Sequence, residues 1–370
     1  MNALRQPRVS VPEQPTLLRF GRWACYGFAM GAVTLALCTT YSIQPLREQP
    51  PTLLFFVAVI LTSWYAGLRA GFVAAALSML ALDLVFVKPT LSFQMEIVED
   101  GADFIAFAAA TWLVSAFQVH WRETHRKLVA VEQEVQIARR IQQRFFPAAA
   151  PSIPGLEIGG SCFPAGDTGG DFFDYIPMPD ERLGIAVGDV SGHGLGPAIV
   201  MVLLRAYMRA LALTCSDPEE VLTRANRLLS EDTEDEWFAT VFLVQFDRRS
   251  GTFLYAGAGH ECHLLDVSGE VIELESTGMP LGVYADARIS QSPAAALLPG
   301  QLLILLSDGI VESHSARGEC FGWARVLETV LAHRRESAKE MVAAIYHAAC
   351  FHRGNLAQED DMTVVIVKAI

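Results

Sequence analysis

Four stretches near the start of the chain carry almost no charge, and they limit what it can fold into more than any other feature. Trp23–Tyr41 runs for 19 residues, Thr52–Leu68 for 17, Ala70–Val87 for 18 with Asp83 as its single charge, and Phe104–Val119 for 16. A bilayer core of ~30 Å takes about 20 apolar residues as a helix, with a lower bound of roughly 17. In lipid the backbone must satisfy its own polar groups, so such stretches are predicted as helices. Buried helices of soluble proteins normally keep a polar stripe, which these lack. The pattern predicts four transmembrane helices with short connections. About twenty polar residues precede the first stretch and no small-x-small cleavage site is evident, which argues against a removable signal.

Charge sets the expected orientation. Arg5, Arg8, Arg19 and Arg22 precede the first stretch, and Arg122, Arg126 and Lys127 follow the fourth. Between the third and fourth, Glu96, Glu99, Asp100 and Asp103 outnumber Lys88. The positive-inside tendency then puts both ends in the cytoplasm, with only Arg69 running against it. The expected location is the inner (cytoplasmic) membrane, multi-pass, with the remainder of the chain in the cytoplasm. An intramembrane acid such as Asp83 by default suggests function, although its place near the end of its stretch would also let it reach the headgroups.

Residues 120–146 change abruptly to mixed charge. Leu128, Val131, Val135, Ala138 and Phe145 follow one another at three, four, three and seven residues, a heptad seam interrupted by Gln142. Pro147 ends the helix. The seam predicts a parallel coiled coil joining two protomers; packing of one amphipathic helix on its own domain is the alternative. The chain therefore divides into a tail (1–20), a four-helix membrane module (21–119), a helical linker (120–147) and a soluble domain (148–370).

In the soluble domain, Leu183–Gly188, Ala239–Phe246, Gly251–Ala256, Leu302–Leu306 and Thr363–Val367 read as strands, and Ala198–Leu213 and Ser337–Cys350 as helices. Strands come in groups rather than in regular alternation with helices, which predicts an α+β fold, an antiparallel sandwich flanked by helices. Its acids cluster at strand edges: Gly169-Gly170-Asp171-Phe172-Phe173-Asp174, Gly188-Asp189-Val190-Ser191-Gly192-His193-Gly194, Ser307-Asp308-Gly309 and Asp360-Asp361-Met362-Thr363. Asp and Gly favour loops over strands, so one end of a sandwich could gather these carboxylates. Like charges brought together raise one another's pKa. A hard dication with oxygen ligands relieves that repulsion, which points to Mg²⁺ or Mn²⁺. A two-metal site of this kind hydrolyses phosphoesters, and the backbone carbonyl of Val190 is a plausible further donor. The formal charge of −13 and the absence of a dense Lys/Arg run exclude a nucleic-acid footprint. The seven cysteines are scattered without a Cys-x-x-Cys pair, which excludes a zinc cluster or redox dithiol.

Together with Ala138-Arg139-Arg140-Ile141-Gln142-Gln143, Gly257-Ala258-Gly259-His260 and Gly278-Met279-Pro280-Leu281-Gly282, the four clusters stand in one order. In that order they resemble the PPM family of metal-dependent serine/threonine phosphatases, in its SpoIIE-type branch. The resemblance implies a β-sandwich flanked by helices and two Mn²⁺ or Mg²⁺ ions. It implies Asp189 as the bridging ligand with the Val190 carbonyl, Asp308 and Asp360 as terminal ligands, and Asp171 and Asp174 as direct or water-mediated ones. Asp361 would be an alternate or supporting ligand, and Asp189, Asp308 and Asp360 would form the catalytic core. The implied substrate is a phosphoserine or phosphothreonine on a regulatory protein, in the family an anti-sigma-factor antagonist. Ala258 and Glu261-Cys262-His263 depart from the family pattern, which bears on substrate contacts near His260. His193 is a candidate general acid. The stretch from Trp64-Tyr65-Ala66-Gly67-Leu68 through Ala81-Leu82-Asp83-Leu84-Val85-Phe86 resembles the four-helix membrane module of potassium-sensor histidine kinases, over residues of roughly 20–120. The alternative function is an inactive membrane-tethered scaffold, against which stands the complete acid set. A diguanylate cyclase, suggested by Gly169-Gly170-Asp171, would leave the other acids unexplained.

Overall fold

The computed structural model describes residues 22–43, 52–86, 99–234 and 236–370. They belong to two compact units, Met1–Ala130 and Val131–Ile370. The first contains α1 (Arg22–Ser42), α2 (Thr52–Ala66), α3 (Leu68–Phe86) and the start of α4 (Glu99–Gln142). Two of these helices are long and apolar enough to cross a membrane, over Trp23–Ser42 and Leu68–Phe86. The second expected span is an apolar helix of 15 residues, Thr52–Ala66. The fourth is the opening part of α4, which runs unbroken for 44 residues through the point where the composition changes. Arg5, Arg8 and Arg19, and Lys88 and Glu96 of the expected acidic loop, lie outside the described residues. Small residues let the helices approach: a Cβ on Gly71 would fall 2.2 Å from Ser63 Oγ and 2.8 Å from Thr111 Cγ2. Asp83 is buried, and its Oδ1 meets no hydrogen-bond partner among the described residues.

The second unit is a four-layer sandwich. Its elements are β1 (Leu156–Phe163), β2 (Phe172–Met178), β3 (Arg182–Val190), α5 (Leu195–Leu211), α6 (Pro218–Asp232), β4 (Ala239–Asp247), β5 (Thr252–Ala258), β6 (Cys262–Leu265), β7 (Val271–Leu274), β8 (Ala295–Ala296), β9 (Leu302–Leu306), α7 (Asp308–Val311), α8 (Gly322–Ala332), α9 (Ala338–Arg353) and β10 (Met362–Ala369). One sheet has the order β1-β10-β9-β6-β7 and the other β2-β3-β4-β5-β8, with every pair antiparallel. The expected α+β sandwich is what the chain forms.

Period-two alternation builds the layers. Along β3, Leu183, Ile185 and Val187 face the opposite sheet, where they meet Val365 and Val367 of β10. Ala186 and Val190 face the other way, onto Met201, Leu204 and Met208 of α5. The outer face of the first sheet is covered by α8 and α9 through Val326, Val330, Met341 and Ile345. Met201, Leu204 and Met208 are thus core. The helix α9 starts with a reciprocal capping box between Ser337 and Glu340.

Candidate metal centre

Both sheets end their acidic strands on the same side of the sandwich. In the β2–β3 register Phe172 opposes Gly188, so the next residues outward, Asp171 and Asp189, face each other. In the other sheet β9 ends at Leu306 and β10 starts at Met362. Ser307 ties these two ends together. Its Oγ accepts from the Thr363 amide at 2.8 Å and donates to the Asp361 carbonyl at 3.2 Å. Asp308 and Asp360 therefore leave adjacent strands side by side.

The electrostatics record how close the acids stand. Burial, followed by the charges of Asp308 and Asp360, pushes the Asp189 carboxyl up to about 7. Asp171 is raised well above the usual carboxylate range by burial and then by the Asp189 charge. The Ser307 and Thr363 hydroxyls lie near enough to offset part of this, yet no hydrogen bond reaches Asp171 Oδ2. Asp360 is raised, chiefly by burial and then by Asp308, with His193 acting in the opposite direction. An array of anions holding one another above their normal pKa, with an orphaned buried oxygen among them, is the donor chemistry of a hard dication. Among the described residues no three His, Cys, Asp or Glu side chains already close around one point. The fit therefore rests on the identity and mutual charge of the donors.

Asp174 does not join them. It is three residues from Asp171, so strand alternation turns it to the opposite face of the sheet, toward α5. There Arg209 grips it with Nε at 2.5 Å from Oδ2 and Nη2 at 2.8 Å from Oδ1, and Arg205 Nε lies 3.0 Å from Oδ2. Asp174 is completely buried. The expected ligand is instead a pin between the sheet and the helix layer. Asp361 is also spoken for. Its Oδ1 accepts from the Ala165 amide at 2.8 Å and its Oδ2 from the Asp171 amide at 3.4 Å, so it shapes the loop that carries Asp171. His193 is exposed in the glycine turn beside Asp360. His260 is a strut between sheets. Its Nε2 donates to the Leu306 carbonyl at 2.9 Å, which leaves Nδ1 to accept from the Thr240 hydroxyl at 3.0 Å. Burial pushes its pKa down to about 4, so the ring is neutral.

Backbone approach at the centre depends on glycine. An added Cβ on Gly170 would sit 2.5 Å from the Val190 carbonyl oxygen and 3.2 Å from Asp189 Oδ1. Gly170→Ala is therefore expected to push Asp189 and Val190 away from Asp171. Calorimetric titration should show Mn²⁺ affinity at least ~10-fold weaker, and melting should show a loss of ~1–3 kcal/mol. Unchanged affinity would mean that the Val190 carbonyl lies outside the metal shell.

Residues that sequence reasoning missed are Arg205 and Arg209, one helical turn apart on α5; Arg139 and Gln142 on α4 stand in a motif it singled out, without the contacts they make here. Gln142 is buried and exchanges two hydrogen bonds with the Gly169 backbone. Its signal in the sequence is the polar residue that breaks the heptad seam.

Comparison with known proteins bears on the fold and the family. The family described as stage II sporulation protein E (SpoIIE) matches residues 179–370, and a domain family of unknown function, DUF4118, matches residues 26–130. Phosphoserine phosphatase RsbU of Bacillus subtilis is 28% identical over 254 residues, which cover 66% of this chain and 74% of RsbU. Phosphoserine phosphatase RsbP of the same organism is 25% identical over 186 residues, which cover 49% of this chain and 46% of RsbP. The PP2C domain of Pseudomonas aeruginosa SiaA superposes with a TM-score of 0.58 at 24% identity, over 66% of this chain and 98% of that domain. The phosphatase domain of B. subtilis SpoIIE with a fragment of its regulatory domain gives 0.51 at 19% identity, over 59% and 64%. These two show the same fold. The SpoIIE match spans more than half of the 370 residues, so the chain belongs to the SpoIIE family and its C-terminal unit is a protein serine/threonine phosphatase domain.

Proposed function

We propose that the chain is a membrane-anchored phosphatase that hydrolyses phosphoserine or phosphothreonine on a regulatory protein, of the anti-sigma-factor antagonist type. The observation that carries this reading is the gathering of Asp171, Asp189, Asp308 and Asp360, from distant parts of the sequence, at one end of the sandwich. The phosphoserine phosphatases RsbU and RsbP among its relatives support the substrate class. Asp171, Asp189, Asp308, Asp360 and the Val190 carbonyl would hold two Mn²⁺ or Mg²⁺ ions. Bound there, such ions supply Lewis acidity toward phosphoryl oxygens and acidify water. The chain's own residues do the rest. Asp361 and Ser307 fix the strand ends and the Asp171 loop. His193, exposed beside Asp360, would give a proton to the departing seryl oxygen as a water oxygen bonds to phosphorus and the seryl phosphorus–oxygen bond breaks.

The test is phosphate release from a serine-phosphorylated anti-sigma-factor antagonist by the full chain, with Mn²⁺ or with chelator. Mn²⁺-dependent release that Asp189→Asn abolishes supports the reading. Mn²⁺ binding without release from any phosphoprotein would favour the scaffold instead.

Membrane anchoring is supported by the two long apolar helices and the apolar 15-residue helix between them. Dimerisation through the linker is supported by apolar positions on α4 that face solvent: Leu128 is 63% and Val131 58% exposed. One residue inserted beside Val135 would rotate everything beyond it by about 100° and advance it by about 1.5 Å. Phosphatase activity of the full chain is expected to change at least severalfold. Equal activity would make the linker a passive tether.

A further inference from the structure

The end of α4 is built into the loop that presents Asp171. Gln136, Arg139 and Gln142 lie three residues apart on successive turns. Gln136 Nε2 donates to Asp167 Oδ1 at 2.8 Å, and Arg139 Nη1 reaches the same oxygen at 3.0 Å. Gln142 goes further in. Its Nε2 donates to the Gly169 carbonyl at 2.6 Å, and its Oε1 accepts from the Gly169 amide at 3.2 Å. A side-chain amide here replaces a strand partner for both backbone groups of a single residue. On the other side of Gly169 stands Asp361, whose Oδ2 lies 1.8 Å from where a Cβ would be. The Gly169 backbone is thus held between the Gln142 amide and the Asp361 carboxylate, two residues before Asp171. Phe145, just past the helix, adds a second attachment: its ring lies 5.6 Å from the guanidinium carbon of Arg205, which pairs with Asp174.

We propose that Gln142 is a positioning residue for the metal centre, which ties the end of α4 to the placement of Asp171 through the Gly169 backbone. The inference rests on the metallophosphatase reading above. It also accounts for the seam. Val135 plus seven is 142, a position that a coiled coil would fill with an apolar residue. The chain has glutamine there because that position faces a loop backbone, not a second helix. Without Gln142, a buried carbonyl and amide lose their partners and the loop can drift. A metal site does not tolerate drift of that kind: residues that orient ligands typically account for about 10–100-fold in metal affinity.

The test uses the full chain in detergent with Gln142→Ala and with Gln142→Met, the second keeping helix propensity and bulk while losing both hydrogen bonds. Two readouts are needed: Mn²⁺ affinity by calorimetric titration, and amide hydrogen exchange of residues 165–171 without metal. The expected result is about 10–100-fold weaker Mn²⁺ binding in both variants and faster exchange in that loop. Phosphate release should return at saturating Mn²⁺. Affinity within twofold of wild type in both variants would overturn the inference, whatever their melting temperatures. A wild-type chain that takes up no Mn²⁺ would instead overturn the metallophosphatase reading itself.

Discussion

Asp189→Asn is expected to cut phosphate release by roughly 10³-fold, about 4 kcal/mol of transition-state stabilisation, while raising the melting temperature of the metal-free protein at pH 8. Two effects of one carboxylate separate here. Asp189 faces Asp171 and feels Asp308 and Asp360, and its pKa stands at about 7 in the fold against an ordinary value of 3.8. The folded state therefore holds a proton on Asp189 that the unfolded state has released, throughout the window between those values. Stability linked to this group is complete below pH ~4 and is lost as pH rises through ~7. Asparagine has no such loss. With solvent screening at a partly exposed group, the difference at pH 8 is on the order of 2 kcal/mol, or about 4–8 °C for a domain of this size. It should vanish near pH 4. Mn²⁺ should reverse the order, since the wild type, with all its donors, gains more from it. Melting curves of both proteins across pH, with and without Mn²⁺, check this. A variant that melts lower than wild type at pH 8 without metal would mean that the acids do not repel one another as described.

Asp174→Asn should do the reverse: Mn²⁺ affinity within about twofold of wild type, and a destabilised domain. The substitution leaves two guanidinium groups facing each other without their counter-charge, and the Arg205 side chain is only 13% exposed. Removing one partner from a buried ion pair costs about 3–5 kcal/mol, which for a domain of this size is around 10 °C. Activity measured below the melting transition should persist. A tenfold loss of Mn²⁺ affinity with unchanged melting would restore Asp174 as a ligand.

The aspartates at strand ends are readable because Asp and Gly interrupt apolar runs, and Asp189, Asp308 and Asp360 fall where that logic puts them. Asp174 is misplaced when its cluster is read as a unit. Counting by twos along β2 separates it from Asp171 and sends it to the helix face. The arginines that receive it, Arg205 and Arg209, differ by four on α5 and follow directly after the core residues Leu204 and Met208, and a pair of cations beside the buried stripe of a helix is a legible request for a buried acid. The unbroken course of α4 is harder to see, because the change from apolar to charged composition near residue 120 alters the solvent, not the backbone preference. The path from Glu275 to Gln301, with only the short β8, follows from pairings such as Thr277 with Gly257 and Ser292 with Tyr255. Those depend on strands distant in sequence, and no local pattern encodes them.

If the crowded carboxylates at the end of the sandwich hold metal as proposed, they would also couple how long the protein lasts to the metal supply of the cell. A ligand that binds only the folded state adds RT ln(1 + [L]/Kd) to its stability, about 2.7 kcal/mol at a hundredfold excess over Kd. Each kilocalorie withdrawn enlarges the unfolded fraction about fivefold, and that fraction is what proteases remove. Under manganese or magnesium starvation the chain would decline in amount as well as in turnover. Its abundance would then follow divalent-ion status independently of any control of its turnover.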